Sequence, residues 1–474
     1  MEKNDTLTLA EFCAGAKFYD LPARVIREVK RIFLDAVGCA LGATDLDKGR
    51  IAVEVAKALG GKPEAAILGS SERVAITGAA FANGELMQTL DFTSMLPPAH
   101  VTAFVTPAPL ALVGARRVTG RELILALALG HEIAARLGTY LGSIRHRKDG
   151  FPPRSYGFGG NTFGAAAGAA KILKLDAAQT ANALGVAGYF TPLPAYTKWL
   201  HTPGNGMAQY GSAGWTAQSG LTAALLAERG YAGDKTMLDG EYGFWVMHGA
   251  EVHDRKIITH QLGSDWVLLQ TGYKYWPCSD VFASALDAFH SIITKNNLIP
   301  ENIDRVVVRA EGVGTLPRFR TLDIATHLEA QTNLPYNVAA VAHRLIPGPQ
   351  WQAKSTLEDP GIREFMKKVS YESYAHAEET RYQELVVEGK PFISRRPASV
   401  EVIAGSQRFS ETVEYAKWLS TGTDKYRASE TELADKFRVN AAVLKDFRID
   451  KALAAINSLE NLDDAGSLLR LLTV

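Results

Sequence analysis

NTFGAAAGAAKILKLDAAQTANALGVAG, residues 161–188, is the stretch on which the fold turns. Its apolar residues recur at helical spacing over 162–174 and again over 177–187, which predicts two consecutive helices. Most of the apolar positions are Ala or Gly. Side chains this small let helix axes come close together, so the pair predicts a dense helical core rather than a surface hairpin. GSAGWTAQSGLTAALLA, from Gly211, repeats the pattern and predicts a helix over 213–230. Earlier in the chain, Val25, Ile26, Val29, Ile32, Phe33, Ala36, Val37 and Ala40 form one apolar stripe behind Pro22, with Gly42 as a stop. Segments 72–90 and 120–141 have the same character.

The texture changes after about residue 270. RVVVRAEG, 305–312, reads as a strand. VEVIAGSQRFSETVEY, 400–415, reads as two strands, Val400 to Ile403 and Phe409 to Val413, with Gly405 and Ser406 in the turn. A helix is predicted at 332–344. Ser429 and Glu432 then form a capping box ahead of Leu433, Phe437 and Leu444. The expected fold is mainly α: a large all-helical domain over 1–270, completed by C-terminal helices 419–474, and a smaller α+β lid over 271–418. A length of 474 residues suits two cores better than one.

Bulk charge excludes some functions. Lys plus Arg and Asp plus Glu both number 51, which argues against a broad nucleic-acid surface or a basic membrane face. No apolar run is long enough to span a bilayer, and none opens the chain as a signal peptide. Cys13, Cys39 and Cys278 have no zinc spacing and no disulfide framework, so the expected compartment is the cytoplasm. The phosphate-loop, dinucleotide, nucleophile-elbow and HExxH signatures are all missing, and the histidines have no metal spacing. Glycines 157–168 could set backbone N–H groups at a helix start, or be a simple Gly-rich lead-in capped by Asn161 or Thr162. The reading left for an enzyme is acid–base chemistry without a cofactor or metal.

Several segments, taken in order, resemble the MmgE/PrpD family. They are LTLAEFCAG and LPARVIREVKRIFLDAVGCALGA near the start, ANGELMQTLDF at 82–92, and PPAHVTAFVTPAPLAL at 97–112. The 161–188 helix pair, AGWTAQSGLTAALLAERGYAG from Ala213, and YKYWPCSDVFASALDA at 273–288 follow. EAQTNLPYNVAAVAHRL at 329–345 and STGTDKYRASETELADKFR at 420–438 complete the series. Each is weak alone, but the ordered set spans nearly the whole chain. The resemblance implies a helical domain with an α+β lid, a homodimer, and a small-molecule site between the domains. It also implies lyase or isomerase chemistry on small carboxylic acids.

The resemblance assigns His100 as the catalytic histidine, and imidazole suits proton transfer near neutral pH. Asp91 would orient His100 or accept a proton. Tyr336 would serve as a hydroxyl donor, and Lys274 as a catalytic or carboxylate-binding lysine. The chain also departs from the family pattern. Thr93 and Ser94 stand where acidic residues are usual, and Gln88 stands where a histidine is. Ser155 or Tyr156 fills the space of a lost histidine. Gln209 replaces an expected lysine, with Lys198 and His201 nearby, and Cys278, Ser279 and Asp280 follow Pro277. Gln88, Thr93, Tyr156, Gln209 and Ser279 are therefore the expected substrate binders. Neutral groups hold carboxylates less strongly than cations, so a substrate with fewer carboxylates than a tricarboxylate is expected. The leading expectation is a dehydratase-type lyase. An isomerase, epimerase or decarboxylase, a repurposed biosynthetic enzyme and a non-catalytic binding protein are the alternatives.

Overall fold

The computed structural model describes residues 4–96, 100–141, 157–202, 206–250, 255–390, 392–419 and 424–474. The protein is mainly α-helical, with a small α+β part, as expected. The small-residue segments fold as helices Gly160–Ile172, Ala177–Phe190 and Ala213–Glu228, packed on Gly120–Tyr140 and Ile76–Thr89. Their composition has a steric cause. A Cβ added at Gly164 would lie 2.4 Å from the Gly130 carbonyl oxygen, and one at Gly130 would lie 2.9 Å from that of Gly164. The two backbones touch, and neither position has room for a methyl group.

Helix Ala23–Leu41 buries the expected stripe. Pro22 sits one residue outside it, as the cap rather than the first helical residue. A second adjustment concerns Asn161. The helix begins at Gly160, with Gly159 at the cap, so neither Asn161 nor Thr162 caps it. The Asn161 amide instead donates to the His100 carbonyl at 2.8 Å.

The sheet has four strands: β1 (Arg305–Ala310), β2 (Val369–Ser373), β3 (Ala398–Ala404) and β4 (Gln407–Val413), in the order β2-β1-β3-β4. β1 and β2 are parallel, and the other pairs are antiparallel. Three strands fall where sequence places them, and Gly405 turns the hairpin at φ 58°. β2 was not expected. VSYES is a half-exposed edge strand without a clean apolar alternation. Helix Leu334–Ala342, capped by Asn333, lies inside the predicted 332–344.

One apolar core draws on residues 21–273 and again on 418–472, while another draws on 276–416 with Leu200. Lys436, in helix Glu430–Asn440, ties the late helices to the early ones. Its ammonium lies 2.8 Å from Asp35, donates to the carbonyls of Phe92 and Lys274, and sits over the Phe92 ring. Among the described residues, no helix is long and apolar enough to cross a membrane.

Candidate active site

The chain leaves helix Ile76–Thr89 through a tight turn, with Asp91 in the left-handed region at φ 48°. A non-glycine residue held there is strained, and the surroundings must hold it. They do so from three sides. The Lys274 ammonium lies 2.9 Å from Asp91 Oδ1 and donates to the Asp91 carbonyl. The Tyr210 hydroxyl donates to the same carboxylate at 3.2 Å. Met95 and Gly272 exchange backbone hydrogen bonds, which pins the turn to the segment carrying Lys274. Asp91 and Lys274 are both buried.

His100 closes this pair from the other side. Its ring stacks on Tyr210, with centroids 4.7 Å apart, and on Phe158 at 6.3 Å. Burial and the nearby Lys274 charge push its pKa down to about 4, against the opposing pull of Asp91 and Asp280. The unliganded protein therefore carries a neutral imidazole at this point. Across from it, Asp280 pairs with Arg396 at 3.2 Å, and Arg396 also binds Glu311. Arg396 and Lys274, then His100, hold the Asp280 carboxyl below its ordinary value. Tyr196, Trp199 and Tyr210 extend the aromatic wall, and Arg318 lies 4.1 Å over the Trp199 ring. A carboxylic acid entering here meets cations, one neutral base and a buried phenol.

Behind the wall, three glutamines join the two cores. Gln209 donates to Gln331 and Gln331 to Gln352, both at 2.8 Å, and Gln352 donates to the carbonyls of Leu90 and Pro277. The chain of amides starts at Lys48, whose ammonium bonds Gln88 at 2.9 Å, Gln209 at 2.8 Å and Glu85 at 3.2 Å.

The structure brings His100, Asp91 and Lys274 together, with Gln88 and Gln209 immediately behind them. Thr93 is buried in the turn that follows Asp91. Ser279 donates its backbone N–H to Gln331 and leads into the Asp280 turn. Gln88 and Gln209, expected as substrate binders, both have protein partners here, and the cation absent at 209 is supplied from within by Lys48. Tyr336 lies apart from this group. It is buried in the second core, its hydroxyl donates to the Trp351 carbonyl, and its charged neighbours are Arg363 and Asp359 rather than any of the groups above. Tyr156 lies outside the described residues. Tyr210, Asp280, Arg396 and Lys48 were missed. Tyr210 is the residue after Gln209, and Asp280 is the second after Cys278, so a shift of one or two positions in the matched segments would have found them. Arg396 and Lys48 carry no sequence signal.

Comparison with known proteins identifies the family. The MmgE/PrpD N-terminal domain matches residues 7–253, and the MmgE/PrpD C-terminal domain matches 276–461. The chain belongs to the MmgE/PrpD family. A cis-aconitate decarboxylase of Homo sapiens is 27% identical, over all of this chain and 95% of that protein. One of Mus musculus is 26% identical, over all of this chain and 94% of it. One of Aspergillus terreus is 23% identical over 78% of each. In this MmgE/PrpD chain the strained aspartate turn, the lysine and the histidine form the candidate centre.

Two expectations follow. Tyr336→Phe keeps turnover within a few-fold of the parent, because the hydroxyl serves the Trp351 carbonyl. It lowers stability by about 1–3 kcal/mol through the unmet carbonyl. Turnover and thermal melting of the variant check both parts, and abolished turnover in a folded variant would return Tyr336 to the site. The second concerns acid. His100, His131, His248 and His327 all have pKa values pushed down to about 4, burial being the first cause in each. A histidine with a lowered folded pKa leaves the unfolded chain binding more protons between pH 6.5 and about 4. Stability therefore falls across that window as pH falls. Asp287, raised to about 6, acts in the opposite sense, as do Glu28, Glu132 and Glu311, which burial also raises. His290, lowered by burial, adds to the histidine side, whose ordinary value of 6.5 lies inside the pH 7 to pH 5 interval. Melting temperatures at pH 7 and pH 5 test this, and equal values refute it.

Proposed function

We propose that the protein is a lyase that removes carbon dioxide from a small unsaturated carboxylic acid by proton transfer beside a carboxylate. The observation that carries the acid–base part is the neutral His100 ring, stacked on Tyr210 against the Asp91–Lys274 pair. Relatives named as cis-aconitate decarboxylases, matched along nearly their whole length in two species, favour decarboxylation among the reactions open to such a site.

In this reading, Lys274 and Arg396 attract the substrate's carboxylates, and bound negative charge offsets the effect of Lys274 on the imidazole. His100 then takes up a proton. The bond from carbon to the departing carboxylate breaks, and its electron pair stays on carbon, spread through the double bond toward a remaining carboxylate. His100 delivers its proton to that carbon, and the imidazole returns to its neutral form. Asp91 orients Lys274 and Tyr210, so it is a positioning residue. No step calls on a cofactor.

Dehydration of a hydroxy acid is the second reading, favoured by the depressed pKa of His100, which suits a base. With two cations near the ring, Lys274 and Arg396, each shared with protein carboxylates, a substrate with two carboxylates fits better than one with three. The domain division proposed is 1–270 with 419–474, and 271–418 as the lid. Two copies are proposed to pair, in the cytoplasm. Exposed Tyr189, Leu193 and Trp215 are among the apolar side chains open to such pairing, which light scattering reads directly.

The deciding experiment incubates the protein with unsaturated and hydroxy di- and tricarboxylic acids and follows product mass. A product lighter by carbon dioxide supports the proposal. One lighter by water moves the reading to dehydration. An isomer of the starting acid, or no conversion of any of them, overturns both.

A further inference from the structure

A cationic cleft, of about 780 Å³, opens at the start of helix Ala23–Leu41. Arg24, Arg27, Arg31 and Arg427 line it, with Glu28 as its one acidic lining residue. Glu430 reaches in from the next turn and pairs with Arg27 at 2.7 Å and with Arg31 at 3.0 Å. Four guanidinium groups against two carboxylates leave a local excess of positive charge, in a chain whose formal net charge is zero.

The placement runs against ordinary helix design. The helix start carries partial positive charge, and acidic side chains are the usual occupants of a first turn. Here the first turn holds no acidic residue, Pro22 supplies no side-chain cap, and Arg24 stands there instead, with Arg27 one turn on. Arg24 makes no ion pair among the described residues. The side chain of Arg31 is 6% exposed, and its Nε has no hydrogen-bond acceptor, the nearest carboxylate oxygen of Glu28 lying at 3.4 Å. Arg427 pairs with Glu28 at 2.8 Å, so the two carboxylates are shared among Arg27, Arg31 and Arg427, and an uncapped helix start and four clustered arginines face one cleft. Planar guanidinium forks match the oxygens of carboxylate and phosphate groups.

We propose that this cleft binds a small multivalent oxyanion, at a site separate from the one containing His100. Two links join the sites. Arg31 lies 5.1 Å over the Tyr273 ring, and the Tyr273 hydroxyl donates to Glu28 at 2.7 Å. Tyr273 directly precedes Lys274. The cleft is therefore linked to the candidate catalytic lysine through Arg31 and the Tyr273 side chain. The cleft stands on its own geometry and holds whichever reaction the protein performs.

Titration calorimetry on the full chain tests it, with inorganic pyrophosphate and tricarballylate as probes. The expected result is binding of at least one probe that weakens tenfold or more in the Arg24→Gln/Arg27→Gln double variant. Both positions are exposed, so the fold survives the change. Glu430→Gln removes the carboxylate that now lies between Arg27 and Arg31, and it should tighten binding. Arg318→Gln, beside Trp199 in the other cleft, should leave it unchanged. Binding of pyrophosphate alone assigns a phosphate-bearing ligand, and binding of both assigns recognition by charge. The site is refuted if neither probe binds more tightly than about 1 mM. It is equally refuted if binding survives the double variant or responds to Arg318→Gln instead.

Discussion

Glutamine in place of His100 gives a folded protein whose turnover falls about 10³-fold, within the range that a positioned proton-transfer group contributes. Glutamine keeps the length and polarity of the side chain and leaves the backbone carbonyl for Asn161 to bond. It cannot carry a proton between substrate and solvent. Loss of activity with an unchanged melting temperature separates chemistry from folding. The same residue supplies a second readout. In the free protein the imidazole titrates near pH 4, because burial and Lys274 both disfavour its charged form. A bound di- or tricarboxylate brings negative charge against it and raises that value. Proton resonance of the ring, with and without a bound acid, measures the change. Turnover within tenfold of the parent in His100→Gln, or a ring that titrates near pH 6.5 in both states, removes His100 from the mechanism.

The second large effect is on stability. Lys436→Met should cost about 3–5 kcal/mol, the usual loss when one partner of a buried ion pair is removed. Methionine replaces the length of the lysine and keeps its contact with Phe92. It leaves Asp35, fully enclosed, with only the Ser94 N–H as its hydrogen-bond donor, and it strips a donor from the carbonyls of Phe92 and Lys274. Those carbonyls flank Asp91 and Lys274, so the loss also loosens the candidate site. Denaturant melts of parent and variant measure the first effect and turnover of the surviving fold the second. A loss below about 1 kcal/mol would show that the pair is not the tie it is taken to be. The double variant Asp35→Asn/Lys436→Met should recover part of the loss, because no buried charge is then left alone.

Much of the helical part was legible in the sequence for a physical reason. Helices such as Ala23–Leu41 and Gly160–Ile172 bury one face or nearly every face, and periodicity or a run of small residues records that directly. β3 and β4 were legible through alternation and the Gly405 turn. β2 was not, because a half-exposed edge strand leaves no alternating imprint. His100, Asp91 and Lys274 were read from motif likeness, and the fold brings the three side chains near one another. Tyr336 was grouped with them by motif position, which does not say where a side chain points, and its hydroxyl turns into the second core. Lys48 and Arg396 were invisible. Each reaches its place from a segment with no motif, and only the assembled fold puts their charges where they matter. Gln209 looked like a lost cation, but it is a link in the amide chain that starts from Lys48.

The tie between Asp35 and Lys436 also bears on how the protein is made. A ribosome delivers residues in order, at about 5–20 per second. Asp35 and Phe92 emerge early, while the ammonium that completes their surroundings emerges only near the end of the 474 residues. Until then the nascent helical bundle holds a carboxylate that it cannot bury at low cost, and the turn bearing Asp91 lacks its last support. Until residue 436 is made, Asp35 and the carbonyls of Phe92 and Lys274 lack the cation they share. Products truncated before residue 436 should be recognised by proteases and chaperones as unfinished, however complete their small-residue helices are.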